Sequence, residues 1–462
     1  MSRVSKKLKN IFIIKTSWLL LVSIAMRFLD INQDFSYILL AIYAFFGNMC
    51  AIEALMLCFF FRHINNSFDI NSTFSLSYLV VISSIISIFW HSKLYNLKKI
   101  FFLDSFFFFT VFFGFFLIIH GIFFSNYILI SVLKASVWLF LSISLLMGFS
   151  SLSTHEISKL QKRFFWFFFV LILINFFIYL VTDIGYEHDK RYFQGIFNHP
   201  QVLGIFMSLF SSIVFIIMLN QKNFSLKTIF FIAIFTSSLI LIILTFSRTA
   251  LFSLFFSVLS FVFFSTFFRK KNFFETYNIF RNKNFSTLGI LLLLLLIFFY
   301  DYLYRILIAF IEKNQNIQNV IDSYASSRMI VIEPMIENIK TKWLTGIGFG
   351  IPSFDTYSTI KQITFKTLIF FTYEKGNLYL LILEELGLLG ILIFIFWLFL
   401  LIQRLILSGD NIALIVVINI LLINLGEAVM FSTGGLGLLI LILLFWAATR
   451  PNSVAKNSYE KL

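Results

Sequence analysis

Cysteine occurs only twice in the 462 residues, at Cys50 and Cys58. The two stand about two helical turns apart in an apolar run, which is neither a disulfide framework nor metal-ligand spacing. Histidine is also scarce: His63, His91, His120, His155, His188 and His199 are scattered, and none follows His199. With no HExxH and no cluster of His and Cys, no protein-held metal is expected. Charged residues make up 13% of the chain, against 60% hydrophobic residues and a mean hydropathy of +0.93. That balance excludes a soluble fold and points to an all-α polytopic integral membrane protein. The 67 Phe accompany many Ile, Leu, Asn and Lys and read partly as coding bias, so no single Phe carries a functional reading.

The charge that is present is lopsided, at net +14. In a soluble protein this would raise nucleic acid as a partner. Here it has a plainer cause, since Lys and Arg collect in cytoplasmic loops that meet anionic membrane lipid, and no nucleic acid is expected. At roughly 20 residues per pass, the apolar runs near 10–29, 35–62, 74–90, 101–123, 126–150, 163–182, 202–220, 226–246, 249–268, 287–304, 378–403, 410–428 and 432–449 can each span. About 12–14 transmembrane helices in one domain, 1–462, are therefore expected. Lys6, Lys7 and Lys9 precede the first run and no small-residue cleavage site follows it, which reads as an uncleaved span.

Basic residues fall in the loops 151–163, 221–227, 269–283 and 404–410 and in the tail, and set these on the cytoplasmic side. The segments 183–201, 247–249, 305–377 and 429–433 then share the outer face. The N-terminal third does not close: a cytoplasmic loop 91–100 leaves the basic N-terminus outside. Either one run does not span, or the run 35–62 hides a break near Gly47-Asn48; a cytoplasmic N-terminus and an even count are expected.

Polar residues gather in one long interval, Asp301 to Gly390, most of which forms an extracytoplasmic loop, 305–377, with amphipathic helices. Four outer-face pieces carry the candidate chemistry. In the first, Tyr192 to Gly204, Pro200 suits a helix start and Asn198 or His199 can cap it, leaving N–H groups open to an anion. In the second, Thr245-Phe246-Ser247-Arg248-Thr249-Ala250, Arg248 either snorkels to headgroups or faces a ligand; its planar fork suits phosphate. The third, Ser326 to Ile339, repeats apolar residues at 329, 332, 336 and 339 as an amphipathic helix does. Arg328 sits near its beginning, where the helix dipole disfavours a cation. Trp343, placed as an interface anchor, and Gly346-Ile347-Gly348 follow; most such glycine pairs are turns. In the fourth, Tyr373 to Gly387, Glu374 either pairs with Lys375 or favours the helix start, or it faces the cavity as a base. One of Glu384 and Glu385 is expected to face the bundle interior. Glu427, near the outer end of its span, opens toward the same cavity. Asp301 and Arg305 have i, i+4 spacing, Glu53 and Lys134 could neutralise each other, and Asp104 is a further charge in apolar sequence.

The ordered set Gly195-Ile196-Phe197-Asn198-His199-Pro200 with Gly204, Ser247-Arg248-Thr249-Ala250, Ser327-Arg328 with Trp343, Gly346 and Gly348, and Gly376-Asn377-Leu378-Tyr379-Leu380 with Glu385, Gly387 and Gly390 resembles the O-antigen polymerase and O-antigen ligase superfamily of bacterial inner-membrane glycosyltransferases. It covers roughly 186–390. The resemblance implies a multi-pass protein of the bacterial inner membrane that works on undecaprenyl-pyrophosphate-linked oligosaccharide at the outer face, without metal, cofactor or nucleotide sugar. It implies Arg248 and Arg328 as the groups that hold the pyrophosphate, and a flippase and a chain-length regulator as partners. Substrate contacts are expected from Asn198, His199, Asn377, Tyr379, Gly346, Gly348 and Glu427. The ligases of the superfamily carry a His just before the Asn of the fourth motif. Here that residue is Gly376, so a polymerase of O antigen, capsule or another polysaccharide is expected, with Glu374 as base. The alternatives are a ligase that transfers glycan to a lipid core and, in another class, a flippase. A flippase would want a charged path through mid-membrane and internal repeats, whereas the distinctive polar residues here lie at one face.

Overall fold

The computed structural model describes residues 18–27, 33–64, 76–92, 104–186, 192–221, 224–267, 277, 320–353 and 375–450. Fourteen helices and no strand form among them. In order they are α1 (Trp18–Arg27), α2 (Gln33–Ala44), α3 (Asn48–Arg62), α4 (Ser77–His91), α5 (Ser105–Phe124), α6 (Ile128–Ser151), α7 (Thr154–Val181), α8 (Pro200–Leu219), α9 (Leu226–Leu244), α10 (Arg248–Phe267), α11 (Val320–Thr341), α12 (Leu378–Ser408), α13 (Asn411–Gly426) and α14 (Leu436–Ala448). Seven of them are long and apolar enough to cross a membrane by length and composition, namely α5–α10 and α12. This is an all-α polytopic membrane protein.

The break expected near Gly47 is present. α2 ends at Ala44, and Gly47 takes φ 130° before α3 begins. The apolar run 35–62 is thus two antiparallel segments. Their turn is tied to other helix ends: His91 Nε2 meets the Phe45 carbonyl at 2.9 Å, and Asn48 Nδ2 donates to Ser92 Oγ at 3.1 Å and to Ser151 Oγ. Those ends adjoin the basic loops, so this end of the bundle is the basic face. Ion pairs brace it between Arg163 and Glu53 (2.6 Å), Arg404 and Asp104, and Arg450 and Asp410 (2.7 Å). Asp104 also caps α5, and Asp410 caps α13. Ten segments, α1–α10, precede the long interval and α12–α14 follow it. The apolar run 287–304 lies outside the described residues.

The core explains which helices are central. Every residue of α3 from Met49 to Phe61 is buried, as are nearly all of α8 and the whole of α14 from Gly437. The surrounding helices leave apolar side chains such as Phe123, Leu180, Phe255 and Leu392 exposed, as lipid-facing helices do. Phe, abundant by composition, serves as interhelical filling: Phe168 of α7 stacks on Phe206 and Phe210 of α8 at 4.4 and 4.9 Å. Buried polar side chains tie helices together. Asn419 Nδ2 donates to the Ser208 carbonyl at 3.1 Å, Ser211 and Ser238 hydroxyls meet at 2.6 Å, and Trp397 Nε1 donates to Thr110 at 2.9 Å.

Several expectations need correction. Glu53 does not neutralise Lys134: its two carboxylate oxygens accept from Arg163 Nη1 at 2.6 and 2.8 Å, and one also accepts from the Tyr43 hydroxyl, all at the basic face. Lys134 instead donates to the Gly350 carbonyl at 2.7 Å, toward the other end of α6. α11 starts at Val320, so Arg328 is its ninth residue and not near its beginning, and the dipole argument for it falls. In the apolar stripe of α11, Met329 is 50% and Ile336 38% exposed, while Met335, at 0%, and Val331 pack inward. Asp301 and Arg305 lie outside the described residues.

Candidate functional site

Opposite the basic face, the four sequence pieces come together, and α12 is the element that organises them. Its first leg begins with Asn377, whose Oδ1 caps the helix by accepting from the N–H groups of Tyr379 and Leu380 at 3.0 and 3.1 Å. The helix breaks at Gly387, which takes φ 65°, ψ −165°. Such a break within an apolar span frees backbone groups that lipid cannot satisfy. The loop after α11 satisfies them: Ile347 N and Gly348 N donate to the Glu384 and Glu385 carbonyls at 2.9 Å, and Leu388 N donates to the Trp343 carbonyl at 2.9 Å. A Cβ on Gly387 would overlap the Leu344 carbonyl, so only glycine allows this approach. Gly346 N is spent on the Lys342 carbonyl at 2.8 Å. The N–H of Gly348, a residue expected to contact substrate, thus holds the kink, and that of Gly346 closes the turn after α11.

The kink is also ionic. Glu384 and Glu385 are both buried, where sequence led to one. Lys375 Nζ lies 2.8 Å from each carboxylate. Burial alone would pull this lysine's pKa down; Glu385 and Glu384 more than offset it and hold it above the usual lysine value. The remaining lone pairs are met by Asn338 Nδ2 of α11 (2.7 Å) and Ser353 Oγ (3.1 Å) on Glu384, and by Gly350 N (2.6 Å) on Glu385. Gly350 thus bridges Glu385 and Lys134. Lys375 is therefore engaged within α12's own kink. Glu374, expected as its partner or as a base, lies outside the described residues, one position before it.

The first piece is built differently. His199, not Asn198, caps α8, its Nδ1 accepting from Gln201 N at 3.2 Å, with Pro200 in the first turn. Asn198 turns to α3: its N–H donates to the His63 carbonyl at 2.8 Å, and its Oδ1 meets His63 Nδ1 at 3.2 Å. Asn198 and His199 are both exposed. The second piece docks on the first: Phe193 N donates to the Leu244 carbonyl at 3.2 Å. A Cβ on Gly204 would lie 2.6 Å from Ser247 Cβ, so this glycine lets the turn lie flat on α8. The turn is tight enough to put Phe246 at φ 51°. Arg248 follows at the first residue of α10 and is half-buried.

The end of α13 ties the pieces together through three consecutive residues. The Leu425 carbonyl accepts from Asn377 Nδ2 at 3.0 Å. Gly426 takes Thr249 against its Cα, where a Cβ would lie 2.8 Å from Thr249 Oγ1. Glu427 Oε1 accepts from Gln201 Nε2 at 3.2 Å. The first, second and fourth pieces thereby meet at one place, and the third is stitched to the fourth. Of the residues expected to contact substrate, Asn198, His199 and Glu427 sit at this junction. Asn377 braces it, and half-buried Tyr379 packs on Phe394 with ring centroids 6.3 Å apart. Arg328 lies on α11; its side chain is outside what is described.

Sequence reading missed the contribution of α3. Arg62 and His63 line the junction beside Gly434 and Gly435; a Cβ added to Gly434 would overlap Arg62 Nη1, and one on Gly435 would lie 3.1 Å from His63 Nε2. An Arg-His pair ending an apolar run was the available signal. Burial, with Arg62 and His199 nearby, pushes the His63 pKa down to about 4 against a smaller upward pull from Asn198. His63 is thus neutral, with Nδ1–H donating to Asn198 and Nε2 bare.

Residues 229–395 match the family model described as O-antigen ligase. The matched span holds the second, third and fourth pieces and the kink of α12. No curated protein matches the chain.

Proposed function

We propose, from the match of residues 229–395 to the O-antigen ligase family model, that this chain is a member of the O-antigen ligase and polymerase superfamily and polymerises lipid-linked oligosaccharide repeat units at the outer face of the bacterial inner membrane. The donor is a glycan on undecaprenyl pyrophosphate. A hydroxyl at the nonreducing end of the next carrier-linked unit attacks the anomeric carbon. The bond from that carbon to the pyrophosphate oxygen breaks, its electron pair leaves with the carrier, and the hydroxyl proton passes to Glu374. Attack opposite the leaving group inverts the anomeric centre. Arg248 and Arg328 stabilise the charge that grows on the pyrophosphate. Asn198 and His199 are the exposed polar side chains through which a sugar would be positioned.

The observation that carries this reading is the meeting of three motifs on Leu425, Gly426 and Glu427. Residues far apart in sequence are brought to one end of a lipid-facing bundle, which is the requirement for transfer between two membrane-anchored substrates. Among the described residues, the ion pairs lie toward the two ends of the bundle and not along a path through it, which disfavours a transporter. Gly376, where ligases carry a His, favours the polymerase; the description of the matching family favours the ligase as the second reading.

The test is the surface-glycan ladder of a deletion strain complemented with wild type, Arg248→Ala or Glu374→Gln, with carrier-linked intermediates run alongside. A polymerase leaves single repeat units on carrier or core, and only wild type restores the ladder. Long chains accumulating on the carrier would establish the ligase. Repeat units trapped on the inner leaflet would overturn both readings in favour of transport.

A further inference from the structure

At the basic face, far from the junction described above, two grooves meet. One, of about 450 Å³, lies between α1, α3 and α7 and is lined by Leu20, Ile24, Met56, Trp166, Lys159 and Lys162 among others. The other, of about 220 Å³, lies between α7, α8 and α9, with Phe165, Ile217, Phe230, Phe231 and Lys227. Lys162 and Trp166 belong to both. The walls are otherwise almost wholly apolar, yet four cations stand at this level: Lys159, Lys162, Arg163 and Lys227. The lone acid lining either groove, Glu53, is already satisfied by Arg163 and Tyr43. Glu156 is engaged in the capping box of α7, accepting from Ser153 N at 3.0 Å and Ser153 Oγ at 2.8 Å.

We propose that this pair of grooves binds one anionic diacyl phospholipid of the cytoplasmic leaflet, with its phosphate at Lys159, Lys162 and Lys227 and one acyl chain in each groove. Three features of the site support it. Lys227 lies in the first turn of α9 and Lys159 and Lys162 in the second and third turns of α7, all toward the basic end, while the grooves run on into apolar wall. Two grooves diverging from a shared Lys162 and Trp166 match two chains diverging from one headgroup. Trp166, 55% exposed, is placed as an interfacial aromatic. Positive loops attract anionic lipid generally; a built groove between helices instead predicts one lipid retained per chain. The proposal rests on the orientation of the bundle and not on its chemistry, so it stands or falls separately from the polymerase reading.

The test is native mass spectrometry of the full chain, delipidated in detergent and titrated with phosphatidylglycerol, phosphatidylcholine or inorganic phosphate. Wild type is expected to hold one phosphatidylglycerol at concentrations where phosphatidylcholine gives no adduct. Lys159→Gln/Lys162→Gln/Lys227→Gln should weaken it by about a hundredfold, at about fivefold per lysine. Lys162→Gln alone, about fivefold weaker, decides the matter should the triple variant fail to fold. A graded series of adducts equal in wild type and variants would overturn the proposal. So would displacement of the lipid by millimolar inorganic phosphate, which would make this a plain anion site. The glycan ladder, run on the same variants, should be unchanged.

Discussion

Around α12 the candidate site is held by ion pairs; around α8 and α10 it is held by close approach and hydrogen bonds. At the kink, Lys375 sits between Glu384 and Glu385 with all three side chains buried, and every freed carbonyl or N–H named above has a partner on the loop 343–350. At the other half, Gly204 and Gly426 admit Ser247 and Thr249, and the polar side chains Asn198 and His199 remain exposed. Buried, mutually satisfied ions fix geometry and offer nothing to a ligand. Exposed polar groups on a rigid support do the opposite. On this comparison we propose that Lys375, Glu384 and Glu385 are framework and that the exposed side chains of the α8–α10 half are where substrate is positioned.

The sharpest way to break it is Lys375→Met. Two carboxylates would be left buried without a cation, a loss of about 3–5 kcal/mol. Fluorescence-detected size exclusion and melting should show little folded protein. Lys375→Met/Glu384→Gln/Glu385→Gln, which removes the charges together, should recover most of it. A stable single variant would refute the framework role. Arg248→Ala tests the opposite half: a rate of polymer extension lower by about 10²–10³-fold, with stability within about 0.5 kcal/mol of wild type. Equal loss of folding and activity would move Arg248 into the framework.

Gly387→Ala tests the stitching of the kink and should cost about 1–3 kcal/mol for its backbone conformation, with the contact at the Leu344 carbonyl added. Gly409 is the internal control, because it has φ 68° and a Cβ added there would meet nothing within 4 Å. Gly409→Ala, at φ 68°, ψ 7°, should cost only the smaller penalty of the left-handed region, about 1 kcal/mol. If the two variants melt alike, the loop 343–350 is not the constraint at Gly387.

The helices were legible in sequence because apolar length alone dictates them, and the break at Gly47 was legible because charge sidedness did not close without it. The four pieces were legible as an ordered set. Their division of labour was not. Substrate contact is expected from Gly346 and Gly348, yet the need to satisfy carbonyls freed at Gly387, which exists only once α12 is bent, claims the N–H groups of Ile347 and Gly348. Likewise Lys375 pairs nine and ten residues ahead with Glu384 and Glu385, a spacing that a straight helix would not suggest, and the only local signal that α3 reaches the site is the Arg62-His63 pair that ends its apolar run.

The smallest effect concerns His63, where the exposed half of the site borders the core. Its pKa in the fold is about 4, below the ordinary histidine value of 6.5. The unfolded chain therefore takes up a proton that the folded chain refuses as pH falls below 6.5. The stability this site contributes is full above that value, and is lost progressively down to about pH 4, where the folded imidazole also titrates. Between pH 7 and pH 6 the loss is roughly 0.7 kcal/mol. His63→Asn keeps an N–H to donate to Asn198 and cannot titrate, so melting curves at the two pH values should differ less for the variant than for wild type. An unchanged pH slope would mean that the ring protonates freely in the fold. His63 would then be a wet, ligand-facing group, and the boundary between framework and substrate contact would shift inward to α3.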